Sequence, residues 1–205
     1  MAARLKIGVV DSGVNPAHPH IGGEHRIAAG AGIGLYRIEP GAYLDYLGHG
    51  TAVCGAICSH SDQCQLLIAK VFDRTLNTRA EMILRGIEWC VEQGADAVNL
   101  SLGTHNPAHG DAFAEWASKV PLVAAAGALP GGLTGVITIE ADASLVRDAW
   151  RRIEGLRFAA SPHPRPIPGR DEADNLGGVS FAVANFTGLA AAYRQQHGCW
   201  PWQEQ

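Results

Sequence analysis

Four short apolar runs, at residues 5–10, 65–72, 96–100 and 121–126, are spaced along the chain and divided by segments with a helical repeat of apolar residues. A strand that is apolar along its whole length must be covered on both faces, as in a parallel sheet sandwiched by helices. The intervening segments supply the helices. Residues 52–58 are small and apolar. Met82, Ile83, Gly86, Ile87, Cys90 and Val91 recur at helical spacing before Gly94 closes the segment, and Thr78-Arg79-Ala80-Glu81 has the spacing of a capping box. Residues 108–119 place Phe113, Trp116 and Ala117 on one face, and a long helix rich in Ala and Gly follows from Ser180 to about residue 196. Alternation of this kind predicts right-handed crossovers and an α/β fold: three layers, a mostly parallel sheet flanked by helices. Residues 135–140 read as a further strand, 150–157 as a charged excursion before Phe158-Ala159-Ala160, and the Gly- and Pro-punctuated 15–40 as loop with short strands.

With 205 residues and 47% hydrophobic content the chain is expected to form one core, a single domain over 1–205. Its net charge of -4, with scattered Lys and Arg, argues against nucleic acid or an anionic membrane as partner. No apolar run reaches the roughly 20 residues that span a bilayer, and no signal segment opens the chain, so a cytoplasmic location is expected. Cys54, Cys58, Cys64, Cys90 and Cys199 are odd in number and form no CxxC pair, which predicts buried free thiols and no zinc. His18, His20 and His25 lie on the 15–40 loop and read as surface or capping residues, so no metal and no cofactor are expected.

Chemistry concentrates at three positions. Ser180 follows Gly177-Gly178 at a helix start, but a serine hydroxyl is a weak nucleophile without a base and an orienting carboxylate. His49, between Gly48 and Gly50 at another helix start, is a candidate base. Asp11 ends the first apolar run, at the carboxyl edge where open α/β sheets bind ligands.

These residues resemble the subtilisin-like serine proteases over nearly the whole chain. The likeness is carried by Ile7-Gly8-Val9-Val10-Asp11-Ser12-Gly13 with His18-Pro19, by Gly48-His49-Gly50-Thr51, and by Val98-Asn99-Leu100-Ser101-Leu102-Gly103. Ala124-Ala125-Ala126-Gly127 and Gly178-Val179-Ser180-Phe181-Ala182 complete it. The order Asp, His, Ser separates this family from the chymotrypsin and α/β-hydrolase orders. The resemblance implies a sheet of about seven parallel strands and a triad of Asp11, His49 and Ser180 that hydrolyses peptide bonds. It also implies two backbone edges, Leu100, Ser101, Leu102, Gly103 and Ala125, Ala126, Gly127, that grip an extended peptide. Where the family carries an oxyanion-binding asparagine, this chain has Ala128. Val179 and Phe181 replace the family's threonine and methionine around the serine, and Ala184 replaces its proline. The backbone N–H of Ser180 is left as the predictable oxyanion donor.

The chain begins close to its first strand, which reads as a trimmed intracellular version without prosegment. Together these features predict a slow, selective endopeptidase, for example in peptide or leader-peptide maturation. The alternative is a peptide-binding pseudoprotease or a subunit of a protease complex with a protein partner. Peptide ligation would use the same nucleophile. The four prolines within 161–170 predict a rigid wall of the site, and the apolar tail at 199–202 is expected to fold back on the body.

Overall fold

A computed structural model describes residues 4–169, 171 and 175–204. Nine strands form one sheet in the order β3-β2-β4-β1-β5-β6-β7-β9-β8. Its centre is β1 (Lys6–Asp11), β4 (Gln65–Lys70), β5 (Ala97–Leu100) and β6 (Leu122–Ala125), the four apolar runs, with β2 (Ile27–Ile33), β7 (Ile137–Ala141) and β9 (Arg157–Ala160) beside them. These pair in parallel. Only the two edge strands, β3 (Ile38–Pro40) and β8 (Trp150–Glu154), are antiparallel.

Helices cover both faces. Helix α1 (His49–His60) and helix α4 (Val179–His197) pack on one side, where Ile7, Val9, Leu66 and Ile68 meet Val53, Ile57, Val183 and Phe186. Helix α2 (Ala80–Glu92) and helix α3 (Gly110–Ala117) cover the other, where Val10, Leu67, Val98 and Leu122 meet Ile83, Ile87 and Phe113. The expected three-layer α/β architecture is therefore present, and the apolar interiors of β1 (7–10) and β4 (66–69) follow from burial on both faces. Helices α1 and α4 cross closely at Gly188, where a Cβ would lie 2.7 Å from the Ile57 carbonyl oxygen. The tail packs back as expected, with Trp200 buried and stacked on Trp202 at 4.7 Å. Four of the cysteines are buried, Cys199 is half-buried, and all five are free.

The parallel strands number seven, as expected, and the antiparallel edge strands β3 and β8 bring the sheet to nine. The charged stretch at 150–157, expected as an excursion, is itself a strand and turn. Arg151, Arg152 and Glu154 sit on the outer edge strand β8, where charge meets water and discourages pairing with another chain. The glycine-rich 15–40 segment holds strands, as expected, though β2 runs to seven residues and β3 to three. The capping box at Thr78 does not form: α2 starts after Arg79, and the Thr78 hydroxyl points instead to Met82 Sδ at 3.5 Å.

Candidate active site

In the sheet, β4 lies on one side of β1 and β5 on the other. The chain thus leaves the carboxyl end of β1 at a point where the connections diverge, which opens a crevice. Asp11 is the last residue of β1 and is 1% exposed. Its Oδ1 accepts the Ser12 backbone N–H at 2.7 Å and lies 2.8 Å from His49 Nδ1. Asp11 Oδ2 is buried with no hydrogen-bond partner. His49 opens α1 and its side chain is 18% exposed. Burial alone would lower its pKa; the Asp11 hydrogen bond and charge, with the Asp45 charge behind them, outweigh burial and raise it above 6.5.

The start of α1 is pinned by residues next to these two. Ser12 Oγ donates to Asp45 Oδ1 at 2.9 Å and accepts the Gly50 N–H at 2.8 Å. Asp45 Oδ1 also accepts the N–H groups of Leu47 and Gly48, and its Oδ2 accepts the N–H and hydroxyl of Thr51. A carboxylate at a helix N-terminus satisfies backbone donors that lack intrahelical partners. These hydrogen bonds hold the Asp45 pKa below its ordinary value against the opposing effect of burial. Gly50 must be glycine, because a Cβ there would lie 2.2 Å from the Gly13 carbonyl oxygen. Sequence reasoning gave Asp45 no role. Its position four residues before His49, at the head of a small-residue helix, was the available signal.

Ser180 is the second residue of α4, after Gly178 at φ 131°. Its hydroxyl donates to the Ser101 carbonyl at 3.0 Å, and the Ser101 hydroxyl donates to the Ser180 carbonyl at 2.8 Å. Asn99 Nδ2 donates to Ser101 Oγ at 3.0 Å, and Thr187 Oγ1 lies 3.0 Å from Asn99 Oδ1. This buried chain ties the carboxyl end of β5 to α4. No hydrogen bond joins Ser180 to His49 among the described residues, although both line one cavity of about 340 Å³. The Phe181 ring lies 5.9 Å from the His49 imidazole, centroid to centroid.

Ser101, Leu102 and Gly103 line that same cavity, together with Phe72, Asn77 and Thr78 from the β4–α2 connection. The latter two were not anticipated as site residues. Leu100 is a partial exception among the expected gripping residues: its side chain is fully buried in the core and its strand position pairs with Ala124, so only its backbone is near the crevice. Ala125 and Ala126 are half-buried at the end of β6, and Ala126 donates to the Ile139 carbonyl. Gly127 and Ala128 line a second cavity of about 350 Å³ with Thr104 and Leu129. The two edges are clamped at their far end by paired hydrogen bonds between Thr104 and Leu129. Ala128 presents only a methyl group, opposite Gly103.

The proline-rich loop runs along the other side of the site. Asn185 of α4 donates to the carbonyls of Ser161 and His163, and Arg165 Nη1 donates to the His20 carbonyl. Pro164 is buried, consistent with a wall rather than a free tail; Arg170 lies outside the described residues. No cluster of three or more His, Cys, Asp or Glu side chains suited to a metal occurs among the described residues, and none of their helices is long and apolar enough to cross a membrane.

The sequence profile of the subtilase family (Peptidase_S8) matches residues 3–145, a span that holds Asp11 and His49 and ends before Ser180. Subtilisin amylosacchariticus of Bacillus subtilis subsp. amylosacchariticus is 31% identical over 110 residues, covering 49% of this chain and 27% of that protein. An intracellular serine protease of Paenibacillus polymyxa is 30% identical over 113 residues, covering 48% of this chain and 33% of the relative. These matches therefore span about a quarter to a third of the length of those relatives. Among solved structures, a lanthipeptide protease superposes with a TM-score of 0.71 at 18% identity, covering 96% of this chain and 76% of the other. The prenylagaramide maturation protease PagA gives 0.68 at 23% identity, covering 96% and 78%. The structural likenesses extend the shared fold to nearly the whole chain, and the profile match over most of its length places it by sequence: the chain belongs to the subtilase family.

Proposed function

We propose that this chain is a selective serine endopeptidase in which Ser180 is the nucleophile, His49 the general base and Asp11 the group that orients it. The observation that carries the reading is the 2.8 Å contact between His49 Nδ1 and the buried Asp11, on an imidazole that shares one cavity with Ser180. A carboxylate on Nδ1 fixes the tautomer with Nε2 unprotonated, ready to take the serine proton and later return it to the leaving amine. The substrate lies as an extended strand along Ser101–Gly103 and residues 125–127, with the cavity beside Gly127 and Ala128 taking the side chain before the cut. Ser180, as the second residue of α4, has a backbone N–H in the first turn, where donors lack intrahelical partners and the helix dipole favours an oxyanion.

The Ala128 methyl donates nothing, so turnover is low. Loss of one oxyanion donor costs about a hundred- to a thousandfold in rate, as measured in subtilisin itself. One structural neighbour is named a lanthipeptide protease and another a prenylagaramide maturation protease, which supports maturation of a peptide precursor as the task.

A second reading, a peptide-binding pseudoprotease, is favoured by one observation: the Ser180 hydroxyl is bonded to Ser101 rather than to His49. A fluorophosphonate probe separates the two. Stoichiometric labelling that disappears in Ser180→Ala is expected for the enzyme; absence of labelling in a folded protein that still binds peptide sinks it.

A further inference from the structure

The one hydrogen on the Ser180 hydroxyl, which His49 must receive if Ser180 is to attack, is engaged elsewhere. It is donated to the Ser101 carbonyl at 3.0 Å, and a hydroxyl has no second hydrogen to offer His49. The bond is half of a reciprocal pair, since the Ser101 hydroxyl donates to the Ser180 carbonyl at 2.8 Å. Asn99 Nδ2 donates to Ser101 Oγ at 3.0 Å, and Asn99 Oδ1 lies 3.0 Å from Thr187 Oγ1. Asn99, Ser101 and Thr187 are all buried, which keeps solvent from competing for these contacts. The direction of the Ser180 hydroxyl is therefore set by a network that joins the end of β5 to the first three turns of α4.

On the endopeptidase reading, on which this inference rests, the same carbonyl has a second claimant. Main-chain groups alternate in direction along an extended edge. Thr104 turns its N–H and carbonyl to Leu129, so Ser101 and Gly103 present theirs to the opposite side, and the Ser101 carbonyl does meet Ser180 there. That side is the cavity shared by His49, Ser180 and Ser101–Gly103, which an extended peptide must fill. In the substrate residue whose carbonyl is attacked, the nitrogen is two bonds, roughly 2.5 Å, from the carbon that Ser180 Oγ approaches. An oxygen 3.0 Å from Oγ is thus within reach of that residue's N–H.

We propose that Ser101 is a positioning residue that couples substrate binding to release of the nucleophile. At rest its carbonyl holds the Ser180 hydroxyl away from His49; in the complex it accepts the main-chain N–H of the residue before the cut, and the hydroxyl turns to His49 Nε2. The proton then passes to Nε2 as the Oγ–carbon bond forms and the carbonyl π pair moves onto its oxygen. The other imidazole nitrogen is already held by Asp11. A molecule that enters the cavity without such an N–H leaves the hydroxyl where it is.

The test compares two phosphonate probes on the parent protein. Both are acetyl-Ala-Ala-Ala with the last carboxyl replaced by a diphenyl phosphonate, which traps the serine as phenolate leaves; in the second, an ester oxygen replaces the last N–H at nearly the same shape. Exchange of the Ser101 bond predicts that the ester probe reacts about tenfold more slowly at saturation, the worth of one neutral hydrogen bond, besides binding more weakly. A contact with no part in releasing Ser180 weakens binding alone and leaves the saturated rate unchanged, and that result overturns the proposal. Ser101→Ala removes the hydroxyl that ties the two residues together. Phenylmethanesulfonyl fluoride, which has no N–H, is expected to label Ser180 in this variant about threefold or more faster than in the parent, and the gap between the phosphonates to narrow. An equal or slower rate in Ser101→Ala, shown by thermal melting to be folded, also overturns the proposal. Absence of labelling by all three probes overturns the endopeptidase reading and this inference with it, whereas stoichiometric labelling with equal saturated rates overturns the inference alone.

Discussion

On the endopeptidase reading, the base side and the nucleophile side of the site are held by different means. His49 is fixed at both ends of its environment: a buried carboxylate takes Nδ1, and the helix start that carries the ring is pinned by Ser12, Asp45 and Thr51. Ser180 is held through its backbone and hydroxyl by a reciprocal pair of hydrogen bonds to Ser101, backed by Asn99 and Thr187. The first arrangement sets the protonation state of a group. The second sets the position of a group and leaves the charge that would develop beside it with little support, because Ala128 supplies no donor. Chemistry on this scaffold should therefore be limited on the nucleophile side, with the base side already close to complete.

The largest effect should come from breaking the better-built half. Asp11→Asn replaces the orienting carboxylate by an amide that stabilises the wrong tautomer, and kcat is expected to fall about 10⁴-fold, in line with the equivalent change in a serine protease of another fold. In the parent, kcat/KM should rise with pH through an inflection above 6.5, because a raised His49 pKa keeps the base protonated to higher pH; in Asp11→Asn that inflection moves down. A pH–rate profile on a peptide substrate reads both.

Ala128→Asn sharpens the contrast from the other side. Restoring an amide donor is expected to raise kcat by about a hundredfold with little change in KM. If the rate does not move, another amide already serves, and Asn77, on the cavity shared by His49 and Ser180, is the residue to replace next.

Asp45→Ala addresses the mounting rather than the chemistry. It strands donors on Ser12, Leu47, Gly48 and Thr51, and a loss of about 2 kcal/mol in unfolding free energy is expected from denaturant titration. The sign with pH is fixed by the depressed pKa. Stability from ionised Asp45 is complete above its ordinary value of 3.8 and is lost as pH falls through the lower folded-state value, so parent and variant should converge in acid.

Much of this was legible in the sequence, for identifiable reasons. The four central strands announce themselves because burial on both faces keeps their interiors almost wholly apolar, with Asn99 the polar residue inside one of them. Asp11, His49 and Ser180 stand out because each sits at an element boundary with a glycine one or two residues away. Strand β8 was hidden, since a charged edge strand has no apolar signature, and the length of β2 was masked by the glycines within it, which suggested only short strands. Asp45 had a local signal, its place just before a helix start, which went unread; its tie to Ser12, and the ties of Ser101 to Ser180 and Asn99 to Thr187, join segments 33 to 88 residues apart, which no local pattern encodes. Asn77 likewise reaches the site only through the path of the β4–α2 connection.

The cysteines have a practical consequence. Burial pushes the Cys58 thiol up to about 11, and Cys54, Cys64 and Cys90 are raised by the same cause, whereas Cys199 alone is half-buried rather than buried. With a pKa near that value, only about one in ten thousand Cys58 thiols is ionised at neutral pH, and only the thiolate attacks an alkylating reagent. Iodoacetamide should therefore mark the native chain once and the unfolded chain five times. The number of adducts on a mass spectrum becomes a count of folded molecules, obtained without a chromophore or a substrate.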